Sequence, residues 1–245
     1  MSPQPIPAHV LSHLVPQRCD APDPPSWITT YTGRQFFPMA PKAADIVIDD
    51  IAHQLSCMNR WAGATREPYS IAQHSVHVAE LVPLEHALWA LLHDASEAYL
   101  VDVPTHIKRL PTMAPYRAAE LHLQRIIYQR FGLSGPEPES VKAADHACAV
   151  AEAQDLLKEI PSYWPEAIRH RTAPRTKFRI SAWPARKAER AFLEQFTAFA
   201  KSTEVCTACK SRPRRPGVDR RGYRNRMCRE CHAADMRQRR SESAE

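Results

Sequence analysis

The chain has 245 residues, 44% hydrophobic and 24% charged, which argues against wholesale disorder, a fibrous repeat or two full-sized enzymes. No apolar run approaches the roughly 18 residues of a membrane span, and the N-terminus lacks a signal-peptide core, so we expect a cytoplasmic protein without membrane contact. The net charge is +6, and the excess of basic residues lies after residue 200.

The chain divides by pattern into three parts. Nine of the 22 prolines lie in residues 1–44, which predicts an extended N-terminal segment that wraps the body or stays loose. Residues 45–200 have helical periodicity and little glycine, which favours an all-α bundle with one core over a sheet-based nucleotide fold. Ser70 is a predicted helix cap. The predicted helices cover residues 51–61, 71–82, 84–100, 114–133, 141–160 and 184–201.

The most informative segment runs from His93 to Glu97. On a helix, His93, Asp94 and Glu97 can all face one cleft, because Glu97 follows the other two by four and three residues. Imidazole and carboxylate suit a catalytic divalent metal. His74 and Asp145, on other predicted helices, offer the remaining ligands. A His-Asp pair also arises by chance, but the order His, His-Asp, Asp on three helices favours a metal site.

This pattern resembles the HD-domain metal-dependent phosphohydrolases, and most closely their bacterial 5′-deoxyribonucleotidases and phage deoxyadenosine triphosphate triphosphohydrolases. The resemblance covers about residues 45–200, so the chain is expected to be an HD-domain helical bundle. Two departures from the family pattern are Gln73, where the family has glutamate, and Val101, where it has glycine. The matching stretches are Asn59–Trp61, Ala72–Ser75, Leu91–Arg109 and Val141–Ala149.

The resemblance implies a metal centre with one divalent cation, which could be cobalt, manganese, zinc or magnesium. Its ligands would be His74, His93, Asp94 and Asp145. The cation would polarise a phosphoryl oxygen and offset its charge.

The resemblance also implies roles for five further residues around this centre. Glu97 and Asp102 would position the attacking water and handle its proton. Arg60 would bind phosphate, Trp61 would pack against the nucleoside, and Lys108 would be a second phosphate contact. The ordinary alternatives are a solvated Glu97, a helix-capping Asp102 and a solvated Lys108.

Residues 201–245 carry two Cys-x2-Cys pairs separated by 18 residues, a spacing typical of a structural zinc ribbon. Disulfides are the competing interpretation. Four thiolates leave no open coordination position, and so small a module depends on the metal to fold. The expected zinc ligands are Cys206, Cys209, Cys228 and Cys231.

The predicted ribbon holds 13 basic and 6 acidic residues. This charge suits a nucleic-acid backbone or an acidic protein partner, and the sequence favours neither. The resemblance further implies a homo-oligomer.

The resemblance therefore implies a phosphohydrolase that releases a deoxynucleoside from a 2′-deoxynucleoside 5′-phosphate. A deoxyadenosine triphosphate triphosphohydrolase is the nearest alternative, and a cyclic or alarmone nucleotide hydrolase fits the Asn59–Trp61 segment less well. From another class, the chain could be a nucleic-acid-binding ribbon protein that uses the helical body as a scaffold.

Overall fold

Helices make up most of the chain that the computed structural model describes, namely residues 27–169, 175–176 and 178–202. The mostly helical fold agrees with the predicted all-α class. Most of the proline-rich segment lies outside the described residues, and so do the predicted zinc ribbon and its ligands Cys206, Cys209, Cys228 and Cys231. No helix in the described ranges combines the length and the apolar character needed to cross a membrane.

A short antiparallel hairpin precedes the helices, with Ile28 opposite Phe36. Its strands are β1 (Ile28–Thr29) and β2 (Gln35–Phe36). The helices are, in chain order, α1 (Ile48–Cys57), α2 (Ile71–Leu81), α3 (Ala87–Leu92), α4 (Glu97–Leu100), α5 (Thr105–Lys108), α6 (Ala114–Arg130), α7 (Glu139–Leu156), α8 (Glu166–Arg169) and α9 (Ala185–Ser202). Short 3₁₀ turns cover Ala43–Asp45, Trp61–Gly63, Leu84–His86 and Pro111–Met113.

Helix α2 is the central helix of the bundle. The predicted cap is present, since the Ser70 hydroxyl accepts a hydrogen bond of 3.2 Å from the Gln73 backbone N–H. Every residue from Ile71 to Ala79 is buried, as expected of a helix surrounded on all sides. The neighbours that cover it are α1, α3, α7 and α9. A polar side chain on α2, such as His74, is therefore held inside the protein.

The hairpin packs against this bundle. Phe36 is fully buried and stacks on Tyr99 with ring centroids 4.1 Å apart. Residues 27–36 thus extend the same core that the helices build, which also contains Ile51, Leu55, Tyr69 and Phe192.

Three predicted helices differ clearly from the observed ones: the helix predicted over residues 141–160 ends at Leu156, and the other two differences lie at the candidate site. The helix predicted over residues 84–100 is interrupted between α3 and α4, where Ala95 N–H donates to Leu92 O and Glu97 N–H to Asp94 O, both at 3.0 Å. This i to i+3 bonding makes tighter turns than an α-helix. The helix predicted over residues 51–61 ends at Cys57, so Arg60 lies outside it in a loop.

Candidate metal centre

The four predicted metal ligands converge from three parts of the fold. His74 lies on α2, His93 and Asp94 lie in the turn between α3 and α4, and Asp145 lies on α7. His74 Nε2 is 3.0 Å from Asp145 Oδ1 and 3.3 Å from His93 Nε2. Asp94 Oδ2 is 3.2 Å from His93 Nε2 and 3.7 Å from His74 Nε2. The side chains thus present two imidazole nitrogens and two carboxylate oxygens to one point.

The arrangement of both imidazole rings fits metal binding. His93 Nδ1 lies 2.7 Å from the Ala90 carbonyl oxygen, and His74 Nδ1 lies 2.6 Å from Glu152 Oε1. An Nδ1–H that donates to oxygen leaves Nε2 as the ring's electron-pair donor, the usual arrangement for a metal-binding histidine. His74, His93 and Asp145 form a group that could hold a metal ion, and Asp94 adjoins it. The donor set therefore fits a divalent cation.

Neighbouring charges offset the effect of burial on the ionisable groups of the site. Burial alone would raise the pKa of Asp94, but His93 and Arg60 hold that pKa well below its usual range. Burial by itself would lower the pKa of His74. The charge of Glu152 and the hydrogen bond with Asp145 raise this pKa above the ordinary histidine value. The Asp145 side chain is the most exposed of the four ligands, at 39%, so the centre opens to solvent on the α7 side.

A fifth carboxylate, which the sequence did not single out, lies behind the ligands. Glu152 on α7 is fully buried. Its Oε1 accepts from His74 Nδ1, and its Oε2 accepts from Arg60 Nε at 3.2 Å and from Trp61 Nε1 at 3.0 Å. These partners hold the pKa of Glu152 below its usual range against the effect of burial. The available signal was spacing, since Glu152 follows Asp145 by seven residues and so shares its helix face.

A second group that could hold a metal ion consists of His74, Cys148 and Glu152. Burial raises the pKa of the Cys148 thiol, which disfavours the thiolate that would bind a metal. Both oxygens of Glu152 already accept hydrogen bonds. We therefore interpret this group as the support of the His74 ring.

The loop that carries Arg60 and Trp61 has an unusual backbone. Trp61 has φ of 59° and Ala62 has φ of 48°, both in the left-handed region, and Gly63 follows at 79°. A non-glycine residue in this region costs about 1–3 kcal/mol, and such residues concentrate at functional sites. Arg60 also donates to Asp94 Oδ2 at 3.1 Å. The loop thus places a guanidinium directly beside the metal ligands.

Glu97 lies buried next to the centre, which rules out the solvated alternative. Its Oε1 accepts from Lys108 Nζ at 3.1 Å, whereas its buried Oε2 has no hydrogen-bond partner in the described residues. Burial, together with the charges of Asp94 and Asp102, raises the pKa of Glu97 to about 8.

Asp102 and Lys108 flank Glu97. Burial and the Asp94 charge raise the pKa of Asp102, and no side chain caps α5, which excludes the capping alternative. Lys108 is bound on both sides, by Glu97 and by Glu120 at 2.5 Å, and its side chain is only 18% exposed. It is therefore an internal ion-pair partner and not a solvated lysine.

Gln73, the departure next to His74, serves the fold. Its Nε2 donates to Ser181 O at 2.7 Å, and its Oε1 accepts from Trp183 N–H at 2.8 Å. The side chain thereby anchors the segment that leads into α9, and the His74 ring is supported by Glu152 instead.

Two relatives match much of this chain. YfdR of Escherichia coli strain K12, named an uncharacterized protein, is 40% identical over 140 residues, which is 57% of this chain and 78% of YfdR. An uncharacterized protein of Rhodobacter capsulatus is 35% identical over 144 residues, covering 54% of this chain and 73% of the relative. No protein-family model matches the chain.

Proposed function

The chain belongs to the family of Escherichia coli YfdR, and from the composition of its site we propose that it is a metal-dependent phosphohydrolase of 2′-deoxynucleotides. The observation that carries this proposal is the convergence of His74, His93, Asp94 and Asp145, with a buried arginine on one side. The resemblance to the HD-domain phosphohydrolases supports the same reaction.

The site has the parts that phosphoryl transfer to water requires. A divalent cation held by the four ligands would supply Lewis-acid polarisation of a phosphoryl oxygen. Arg60, with NH1 3.1 Å from Asp94 Oδ2, lies where it can donate to the other phosphate oxygens. Asp145 lies at the open side of the centre, which gives the phosphate its approach.

Glu97 and Asp102 are the groups that we propose to move protons. The Oε2 atom of Glu97 has no partner in the described chain and can accept the proton of the attacking water or return it to the leaving oxygen. Lys108 holds the other oxygen of this carboxylate, so its role would be to orient Glu97. We therefore propose that Lys108 mainly orients Glu97, whereas the resemblance implied a direct contact with phosphate.

The substrate is tested by product chromatography with deoxynucleoside and ribonucleoside mono- and triphosphates, each in the presence of Co²⁺, Mn²⁺, Mg²⁺ or Zn²⁺. We expect release of a deoxynucleoside, with deoxynucleotides turned over at least roughly tenfold faster than ribonucleotides because Trp61 packs near the sugar. Release of triphosphate would identify the alternative triphosphohydrolase reaction. Equal turnover of dAMP and AMP, and of dATP and ATP, would show that the deoxynucleotide assignment is wrong.

Substitution of Glu97 separates proton transfer from metal binding. Glu97→Gln preserves the shape of the side chain but removes its acid–base function, so kcat should fall about 10²–10⁴-fold while the metal content is retained. Steady-state kinetics and elemental analysis measure the two quantities. Glu120→Gln is the matched control, because Glu120 also binds Lys108 and should leave kcat within a few-fold. Loss of the metal in Glu97→Gln would contradict the proposed role.

A further inference from the structure

A surface cavity of about 470 Å³ lies between the loop that carries Trp61 and Ala64 and the segment from Leu157 to Trp164, which follows α7. Its volume falls in the range of small-molecule sites. The walls include three aromatic side chains, Trp61, Tyr163 and Trp164, and the charged side chains of Lys158 and Glu159. Lys158, Glu159, Tyr163 and Trp164 all follow α7 in the chain. None of these four residues has a part in the metal centre.

Two of the aromatic walls pack against each other, and the third is open to solvent. The rings of Trp61 and Trp164 have centroids 5.6 Å apart and are inclined by 30°. Tyr163 is 85% exposed. Because a tyrosine contributes to stability mainly when it is buried, this side chain adds little to the stability of the fold. Aromatic side chains that line a cavity in this way are typical platforms for base stacking.

The cavity adjoins the metal centre through the loop that carries Arg60 and Trp61. The indole N–H of Trp61 donates to Glu152 at 3.0 Å, and the same carboxylate binds the His74 ring at 2.6 Å. Arg60, the neighbour of Trp61 in this loop, has NH1 3.1 Å from Asp94 Oδ2, so the loop that lines the cavity also contacts a candidate metal ligand. The strand-like pairing of Thr65 with Leu157 fixes the Trp61 loop against the rim of the cavity.

We propose that this cavity binds the base of the nucleotide whose phosphate is hydrolysed at the metal centre, and that it favours purines. This inference rests on the proposed function. A purine offers a larger ring face than a pyrimidine for stacking on Trp164 and Tyr163. Lys158 can donate to the N7 atom of a purine, and Glu159 can accept from an exocyclic amino group such as that of adenine.

The inference is tested with the full-length protein by steady-state kinetics on dAMP, dTMP and 2-deoxyribose 5-phosphate, which lacks a base. If triphosphate is the product, dATP and dTTP replace the monophosphates. Trp164→Ala should lower kcat/KM for the purine nucleotide roughly 5- to 100-fold, the usual worth of one stacking partner. The loss should be smaller for the pyrimidine and absent for the base-free ester. Tyr163→Ala should act in the same direction, and its high exposure makes it safe for folding.

Trp164→Phe keeps a stacking ring and should restore most of the purine turnover. Trp27→Ala, which removes an exposed aromatic side chain outside the cavity, should change none of the values. Equal losses on the nucleotides and the base-free ester would overturn the inference, because Trp164 would then only support the loop. Unchanged purine turnover in both alanine variants would overturn it as well. Failure of the unmodified protein to hydrolyse any nucleotide would instead overturn the proposed function.

Discussion

Replacement of Asp94 by alanine should abolish both nucleotide hydrolysis and metal binding at the centre. Asp94 is one of the four proposed metal ligands, so the variant loses a ligand. Its carboxylate also accepts a hydrogen bond from Arg60, and without that bond the guanidinium is no longer held in place. Because the proposed cation supplies several kcal/mol of charge stabilisation, turnover should fall at least about 10³-fold. Product chromatography and elemental analysis of the purified protein measure the two losses.

Circular dichroism should show an unchanged helical fold in Asp94→Ala, since the residue lies in a turn and its side chain is partly exposed. Asp49→Ala, which removes an exposed carboxylate from α1, should keep both activity and metal. Full activity in metal-free Asp94→Ala protein would refute the metal-dependent reaction.

Replacement of Glu152 should damage both the fold and the metal centre. Glu152→Ala leaves the donors of His74, Arg60 and Trp61 without their shared acceptor inside the protein. Breaking a buried ion pair costs about 3–5 kcal/mol, which corresponds to a fall in Tm of roughly 6–20 °C for a chain of this size. Because the His74 ring loses its support, metal affinity should also fall about 10- to 100-fold. Calorimetry measures both the transition and the affinity.

Glu152→Gln distinguishes the ionic role from simple packing. Glutamine preserves the volume of the side chain. Its amide –NH₂ group, however, would face an N–H of His74 or Arg60, and two donors cannot form a hydrogen bond. We therefore expect metal affinity to fall in this variant too, with a smaller loss of Tm than in the alanine variant. The matched control is Glu139→Gln at the exposed start of α7. Wild-type metal affinity in Glu152→Gln would mean that Glu152 has only a packing role.

The helices were predictable because their signals are local. The Ser70 cap and the apolar periodicity of α2 lie within a few residues of one another, and α6 ends at Arg130, close to the predicted end at residue 133. The order of the histidine and aspartate ligands was equally visible, since each lies on or beside a helix whose position the pattern defines.

The rest of the site depends on contacts between distant parts of the chain. Glu152 binds residues 78 and 92 positions away, His74 and Arg60, so in sequence it resembles an ordinary helix-surface glutamate. The left-handed conformation of Trp61 and Ala62 has no local signature, because glycine or asparagine usually marks such positions. The loop depends on tertiary hydrogen bonds, and a helical extension through Arg60 was therefore predicted in its place.

The single carboxylate of Glu152 makes the effects of mutations at its three nitrogen donors, His74, Arg60 and Trp61, non-additive. Once one partner is replaced, the carboxylate can reorient towards the other two, so a second substitution starts from a changed background. Double-mutant cycles among His74, Arg60 and Trp61 should therefore give coupling free energies of about 0.5–3 kcal/mol, even for pairs that do not touch each other. Substitutions in the candidate metal centre and in the loop beside it are therefore energetically coupled through one side chain.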